Sequence, residues 1–528
     1  MATAVAAVPA GGLSAYEARR YRFRYLIAVT VSMATVLELL DTSIVNVAIP
    51  HMMGNLGATL DEIAWVSTGY IVANVIVLPI TGWLSAYFGR RRYFASSIAI
   101  FTIASFLCGN SHTLTELIIW RIVQGMGGGA LLSTSQAILY EEFPKSEYGT
   151  AMAIFGIGVM VGPALGPTLG GYIVDAYGWP WIFYINLPIG LLAFFMTLSL
   201  IRDSEHAVKV EKIDYWGLLL LAAGIGTLQT MLERGERQDW FQSRQIIAFA
   251  VISSVSLVAF VWHELTTEHP VVDLRIAKSK QLTAGVLFGM GLGICLYATV
   301  FVIPVYMQSL LGMTAEETGW VLLPSAIASG VTMGIFGRSK LNPRVSITIG
   351  TLVFGWVMWK HAHFTIQSGT SDFFWPFIFR GFGLGMIFVP LTNLAMAELP
   401  MSKIAQGTGL FNLMRQLGGS VGIALSATLL QRFTAQNRAA MAADVTIYNP
   451  ILQQRLHAVT AHLIATGTPP AVAQTQALAV INGQVTAQAM MLSFEHMFLL
   501  FGITMVALLP LLFFMNAKSK TQGGGVGH

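Results

Sequence analysis

The chain has 528 residues, of which 55% are hydrophobic and only 11% charged, with a net charge of +4. A soluble globular domain carries about 25% charged residues, so this composition excludes an ordinary soluble enzyme. No basic cluster is interleaved with aromatics, which excludes a nucleic-acid partner, and the two cysteines fall inside apolar runs, which argues against a disulfide framework or a paired-cysteine metal site.

The N-terminal segment lacks a basic region ahead of its apolar residues, so it reads as a tail over 1–24 leading to a basic collar rather than as a signal peptide. Fourteen spans of about 20 residues are then expected, near 25–49, 62–84, 93–110, 114–138, 149–174, 180–201, 213–232, 245–263, 282–307, 316–337, 343–360, 373–397, 403–432 and 494–515. With the N-terminus inside, twenty of the 30 Lys and Arg residues fall in inner loops and seven in outer ones, while Arg121, Arg380 and Arg415 lie within spans. This positive-inside asymmetry places both termini in the cytoplasm and explains the positive net charge.

Span 1 reads YLIAVTVSMATVLELLDTSIVNVAIP and holds Glu38 and Asp41. A carboxylate at mid-bilayer costs about 2.5–3.5 kcal/mol on insertion scales, so both acids are expected to face a partner or a wet cavity. Their i, i+3 spacing puts them on one helix face. Such residues point to movement of protons or cationic solutes.

Span 2 ends in GWLSAYFGRRR, where Gly82 and Gly89 allow close approach and a tight turn, and Arg90 and Arg91 stay among headgroups. The segment reads either as a topology anchor or as a cytoplasmic gating hairpin; a partial second copy, GIFGRSKLNPR (334–344), favours the latter. Span 4 carries RIVQGMGGG, with Arg121 and Gln124 in mid-span. A buried guanidinium must find an acid or several carbonyls, and Glu38 and Asp41 are the candidates. GMGGGA loosely matches a dinucleotide fingerprint, but no strand is expected before it and it lies in an apolar span, so that reading is rejected.

Span 5, GIGVMVGPALGPTLGG, repeats glycine every four residues at Gly158, Gly162, Gly166 and Gly170. Such a face lets helix backbones touch, and Pro163 and Pro167 each remove a helical donor and bend the span. In the later spans, Asn393, Asn412, Arg415 and Gln416 are intramembrane polar residues that serve either in interhelical bonds or along a substrate path. The 24 methionines fit a pliable cavity or ordinary packing. His361, His363, His457 and His462 show no metal-ligand spacing.

Span 4 is echoed by RGFGLG (380–385) in span 12, and Gly-rich span 5 by GGSVG (418–422) in span 13. The chain therefore reads as an all-α polytopic membrane protein: a six-helix bundle over 25–201, two added helices within 202–281, a second six-helix bundle over 282–515, and a cytoplasmic tail over 516–528. Parallel halves around a central solute site are a transporter architecture. One outer loop, 433–493, is long and rich in Ala and Gln, with helix expected near 451–465 and 471–490.

LDTSIVNVAIP (40–50), GWLSAYFGRRR (82–92), RIVQGMGGGAL (121–131) and GVMVGPALGPTLGG (158–171) resemble four signature motifs of the major facilitator superfamily, in order along the chain. Together with the span count they resemble its fourteen-span drug:proton antiporter family, the EmrB/QacA subfamily; WPWIFYINLPIG (179–190), DWF (239–241), PVVDL (270–274) and MRQLGGS (414–420) extend the resemblance. It implies proton-driven export of drug-like hydrophobic or amphipathic compounds from the bacterial inner membrane, with no cofactor beyond the proton gradient. It places Asp41 in the proton-sensitive span-1 motif, Arg121 in the span-4 motif and the span-5 glycines in an antiporter motif; from its place beside Asp41 on span 1, Glu38 is expected to act as helper. The hairpin departs from the wider pattern, since Ala86 stands where an acid is usual. Within this branch the resemblance also implies an EmrA-like periplasmic adaptor and a TolC-like outer-membrane channel. Against this stand a nutrient or siderophore importer on the same fold and a non-transporting receptor or assembly protein. An intramembrane enzyme lacks a nucleophile–base pair.

Overall fold

In lipid every backbone polar group must be satisfied within the segment, so long apolar runs have little choice but helix. A computed structural model of the chain describes residues 15–515, apart from 204–212, 338, 340, 444 and 447; the side chains of 15–22, 60, 164, 167 and 315 also lie outside the description. The expected tail 516–528 and the first 14 residues therefore fall outside the described residues, as does the ring of Pro167. All described secondary structure is helical.

The first half contains α1 (Ala15–Leu56), α2 (Leu60–Val77), α3 (Thr81–Phe88), α4 (Arg90–Gly109), α5 (Leu114–Gly128), α6 (Leu131–Glu142), α7 (Tyr148–Tyr177), α8 (Trp181–Tyr184) and α9 (Asn186–Leu200). Helices α10 (Tyr215–Arg234) and α11 (Arg244–Thr266) follow. The second half contains α12 (Lys280–Ser309), α13 (Ala315–Phe336), α14 (Pro343–His361), α15 (Thr370–Met396), α16 (Ile404–Ala442), α17 (Pro450–Ala465) and α18 (Pro470–Ala507).

Helix neighbours in the second half repeat those in the first. The pairs α1–α7, α2–α5, α4–α5 and α4–α9 are matched by α12–α16, α13–α15, α14–α15 and α14–α18. Even the capping chemistry repeats: Thr59 and Glu62 form a capping box at the start of α2, and Thr314 and Glu317 form one at the start of α13. Each satisfies orphan amides at a helix start that has no preceding turn.

The span count, the start of the first helix and the outer segment are seen in more detail in the structure. Among the described residues, eleven helices are long and apolar enough to cross a membrane, or twelve if the bent limbs Lys145–Pro163 and Thr168–Tyr177 form one span; the count of fourteen is not confirmed. The expected fourth span is divided at Gly129 and Ala130 into α5 and α6, and the expected eleventh, α14, carries Arg344 and Lys360 near its ends. Residues 15–24, expected in a tail, are the first turns of α1. The segment 433–493 carries helix where it was expected, at 451–465 and 471–490: α17 is capped by Asn449 and α18 begins at Pro470, continuing unbroken into the last apolar run, while α16 runs on to Ala442. No Gly or Pro interrupts the end of α16, and a Pro pair is well suited to start α18. At 1.5 Å per residue a helix the length of α16 is about 58 Å long, well beyond a hydrocarbon core of about 30 Å. The projecting ends are tied by Asn437 to the Ala489 carbonyl (3.3 Å) and by Arg438 to Asn482 (3.0 Å).

The described chain ends share one end of the bundle. Arg24 pairs with Glu147 at 3.1 Å, neighbouring Gly149 packs on Gly337, and Arg344 donates to the Met515 carbonyl. The halves are joined at this end by Tyr140 donating to Asn393 (2.9 Å) and Asn412 donating to Gln136 (2.7 Å).

The seam between α1 and α7 is built on the glycine face. A Cβ at Gly158 would meet Val36 at 3.1 Å, one at Gly162 would meet Leu39 Cβ at 2.9 Å, and one at Gly170 would meet Ile44 at 2.8 Å; one at Gly166 would overlap Ser43. Helix α7 bends by 48° between its two limbs, which meet where Pro163 and Pro167 stand. Replacement of Gly162 by Leu is expected to add about 1–3 kcal/mol of packing strain and to abolish transport while the protein is still produced. Gly171→Leu, at a position whose Cβ would meet nothing within 4 Å, is expected to leave transport intact. Transport assays on the two purified variants at matched protein levels check the contrast.

Candidate functional site

Asp41 lies on α1 opposite Arg121 of α5, and both are fully enclosed, with 0% and 1% of their surface exposed. Arg121 Nη1 donates to Asp41 Oδ2 at 2.5 Å. Gln124, one turn along α5, donates its amide to Asp41 Oδ1 at 2.9 Å, and Asn186 at the start of α9 donates to the same oxygen at 2.9 Å. The Asp41 carboxylate thus accepts from three side chains on two helices.

The guanidinium is held as closely as the acid. Arg121 Nε donates to the Val66 carbonyl at 3.1 Å, Nη1 also reaches Gln124 Oε1 at 2.8 Å, and the Tyr70 ring lies 4.1 Å from its central carbon. Asn186 in turn donates to Ser105 (3.0 Å), which donates to the Phe183 carbonyl (2.9 Å). The glycines beside Arg121 make this approach possible: a Cβ at Gly125 would overlap the Tyr70 carbonyl, and one at Gly127 would meet the Ser97 carbonyl at 2.8 Å. The Gly-rich run is therefore a packing device between α2 and α4, with no strand before it among the described residues.

Glu38 is separate from this pair. It is 3% exposed, accepts from Asn74 at 2.9 Å, and its second oxygen has no protein partner. Asn74 also accepts from Gln416 of α16 at 3.3 Å, so the Glu38 branch crosses to the second half, whereas the Asp41 branch stays within the first.

Between the halves lies a cavity of about 780 Å³ of empty space, open solvent at its mouth included. Its wall is mostly apolar, including Leu39, Met160 and Leu322, with Pro163 at the α7 bend and the guanidinium-bearing Arg380 and Arg415. Arg415 is the one expected pathway residue lining it. Gln124 is turned to Asp41, while Asn393 and Asn412 bond across the end where the halves close.

The hairpin between α3 and α4 divides its work. Gly89 has φ +85°, and a Cβ there would meet Asp203 at 2.8 Å. Arg90 pairs with Glu141, the Arg91 amide donates to Asp203 (3.0 Å), and its guanidinium donates to the Leu198 carbonyl (2.5 Å). These partners all lie in the first half. The contact across the halves is made instead by Gly82, whose Cβ would meet the Gln406 amide nitrogen at 3.0 Å.

Sequence reasoning did not single out Asn186, Ser105, Asn74 or Tyr70. Asn186 lies within WPWIFYINLPIG, and one polar residue in an otherwise apolar stretch was the available signal. Among the described residues no three His, Cys, Asp or Glu side chains cluster to hold a metal ion.

The Major Facilitator Superfamily profile matches residues 31–423, which span both the Asp41–Arg121 network and the central cavity. The chain belongs to the major facilitator superfamily. This member of the superfamily is 34% identical over 505 residues to the "Fatty acid resistance protein FarB" of Neisseria gonorrhoeae, covering 95% of this chain and 97% of that one. It is 35% identical over 508 residues to the "Multidrug export protein EmrB" of Escherichia coli strain K12, again covering 95% and 97%. In fold it is similar to the human organic anion transporter MFSD10 (TETRAN), with a TM-score of 0.57 over 91% of this chain and 99% of that one at 11% sequence identity.

The enclosed ion pair yields a stability test. Removing one partner of a buried pair strands the other charge and costs about 3–5 kcal/mol, whereas removing both together costs far less. Arg121→Met is therefore expected to lower the thermal midpoint in detergent strongly, and Asp41→Asn combined with Arg121→Met to recover a large part of the loss. Additive losses in the double variant would contradict the pairing.

Proposed function

We propose that the chain is a proton-driven antiporter that exports hydrophobic or amphipathic compounds across the bacterial inner membrane, with no catalytic chemistry and no cofactor beyond the proton gradient. The observation that carries this reading is the Asp41–Arg121 pair, excluded from water, with Asp41 on the same helix as Leu39 of the cavity wall. The export and resistance names of the relatives support the direction and the substrates. We read 25–201 and 282–515 as the two moving bundles and the α10–α11 insertion as their companion.

A proton added to Asp41 cancels the charge that holds Arg121 and weakens the acceptor shared by Gln124 and Asn186. Those donors sit on α5 and α9, so their release loosens α1 against both. Helix α1 also forms the glycine seam with α7, whose bend lines the cavity. Proton binding and solute access then act on one helix. Glu38, tied through Asn74 to Gln416, is the helper that senses the other half.

The arginine asymmetry assigns the hairpin end to the cytoplasm, with both termini there. Closure at that end by Tyr140–Asn393 and Asn412–Gln136 then corresponds to a state shut toward the cytoplasm. Asp41→Asn is expected to insert normally and to lose pH-gradient-driven export in proteoliposomes. Full proton-coupled transport by that variant would remove Asp41 from the role.

At the opposite end, the projecting α16–α17–α18 helices are the surface we assign to an EmrA-like adaptor, which hands substrate to a TolC-like channel. Replacing 440–488 with a short flexible linker is expected to preserve transport in proteoliposomes while abolishing protection of cells and co-purification with the adaptor. Loss of proteoliposome transport as well would assign the α16–α17–α18 segment to the pump itself.

A further inference from the structure

The turn that follows α11 carries the PVVDL motif (270–274), which neither the ion pair nor the cavity accounts for. A connection between spans is expected at the surface, yet Val271 and Val272 are 1% and 4% exposed. They belong to a buried apolar cluster that also holds Ile80 and Trp83 of the first half and Leu413 and Leu417 of the second. Trp83 adjoins Gly82, whose contact with Gln406 joins the halves at the hairpin end. The ends of the turn are tied together, because Arg275 donates to the Leu265 and Thr267 carbonyls at 3.2 and 3.1 Å. Its far side is clipped to the second half by Lys403, which precedes α16 and donates to Asp273 at 2.9 Å.

Glu264, in the last turn of α11, holds the middle of this turn. It is fully enclosed, and its Oε2 accepts from the Val272 amide at 3.1 Å. Its other oxygen, Oε1, has no protein partner. That oxygen and Asp214 Oδ2 each lie 2.6 Å from the place a Cβ on Gly217 would take, so two acids converge on one bare glycine. Asp214 is already served by the Gly217 amide at 2.8 Å and by His263, whose Nε2 lies 2.9 Å from each of its oxygens. Among the described residues no Lys or Arg pairs with Glu264. An enclosed acceptor left unmet is costly, and a neighbouring acid adds repulsion. Glutamine would hold the Val272 amide equally well and could donate its own amide toward Asp214. Glutamate therefore grips the turn less firmly than the fold allows, which is the mark of a contact that has to release.

We propose that residues 267–274 form a strap that seats in the seam when the hairpin end is closed and leaves it when that end opens, with Glu264 as the positioning residue that sets how firmly it is seated. The halves cannot part at Trp83 and Leu413 while Val271 and Val272 complete one cluster with both and Asp273 stays clipped to Lys403. The Lys403 clip is partly in water and therefore weak, which leaves Glu264 to set the balance. Because Arg275 ties its ends, the strap lifts from α11 as one piece. The inference rests on the export reading above and gives the two added helices a part in it: they carry the strap that the closed state needs.

The test uses the full chain in proteoliposomes, with Val272→Cys as a reporter labelled by a water-soluble maleimide; the two native cysteines are buried. Glu268→Cys, at an exposed position of the same turn, gives the rate for an open site. The reporter is expected to label well below that rate while Glu264 is present. Glu264→Gln is expected to slow its labelling by about threefold and Glu264→Ala to speed it by about tenfold, in keeping with one hydrogen bond gained or one buried amide left unmet. With ethidium as the transported probe under a pH gradient, Glu264→Gln is also expected to lower kcat by about threefold at unchanged KM while raising the thermal midpoint, a combination that a loss of structure does not produce. Equal labelling at positions 272 and 268 overturns the proposal. So does a Glu264→Gln protein that labels, or exports ethidium, at the wild-type rate, and this variant decides the matter should Glu264→Ala fail to fold. The expected labelling pattern without ethidium export by the wild type would uphold the strap and tell against the export reading; ethidium export with open-site labelling at 272 in every variant would do the reverse.

Discussion

A carboxylate and a guanidinium sealed from water have to find their partners within the protein, and Asp41 and Arg121 find them chiefly in each other. The pair draws in groups from five helices: Asp41 on α1, Val66 and Tyr70 on α2, Ser105 on α4, Arg121 and Gln124 on α5, and Asn186 on α9. Each supplies a hydrogen bond or a ring face that would be costly to leave unmade in a medium of low dielectric. The packing of the first half is organised around that requirement. Glycines at 125 and 127 are there because the helix bearing the arginine has to come close enough for the contact.

The same helix that carries Asp41 forms the seam with α7. Four glycines spaced at one turn let α7 lie directly on the backbone and small side chains of α1, and the proline-marked bend of α7 then faces the cavity. Charge and shape thus meet on one helix, α1. The halves meet differently: at the hairpin end they are joined by neutral hydrogen bonds and by glycine-on-backbone contacts such as Gly82 on Gln406. Neutral contacts of this kind can separate without stranding a charge, which suits an interface that has to open.

The two added helices occupy a revealing position. Helix α10 packs on α2 of the first half and on α16 of the second, with Gln229 donating to Ser420 at 2.7 Å and Arg234 stacked 4.6 Å from the Trp65 ring. Helix α11 packs behind it and turns Val251, Val255, Val258 and Trp262 outward. The insertion therefore seals the seam between the halves from outside, while the charged groups of the core remain on the far side of it.

Much of the fold was legible in the residues themselves, because bilayer helices obey local rules. Apolar runs specify helix, the Gly158–Gly170 spacing specifies a close contact, and an acid in span 1 with an arginine in span 4 requires a partner for each. What the residues left open was which groups meet, since that depends on distances between helices far apart in the chain. Glu38 and Asp41 share a helix face and were equal candidates for Arg121, yet only Asp41 is paired, because α5 meets α1 at that level while Glu38 faces Asn74 and the crossing to Gln416. Asn393 and Asn412 could not be told from pathway residues until the closure of the halves placed them in it. The length of α16 beyond the apolar run and the break at Gly129–Ala130 were likewise decided in three dimensions, where helix–helix packing rather than hydropathy sets where a helix ends. The sequence by itself determined the element type, the repeat and the charges that had to be buried; the tertiary structure alone decided their partners, because a buried charge is satisfied by whatever neighbour the packing brings within hydrogen-bonding distance.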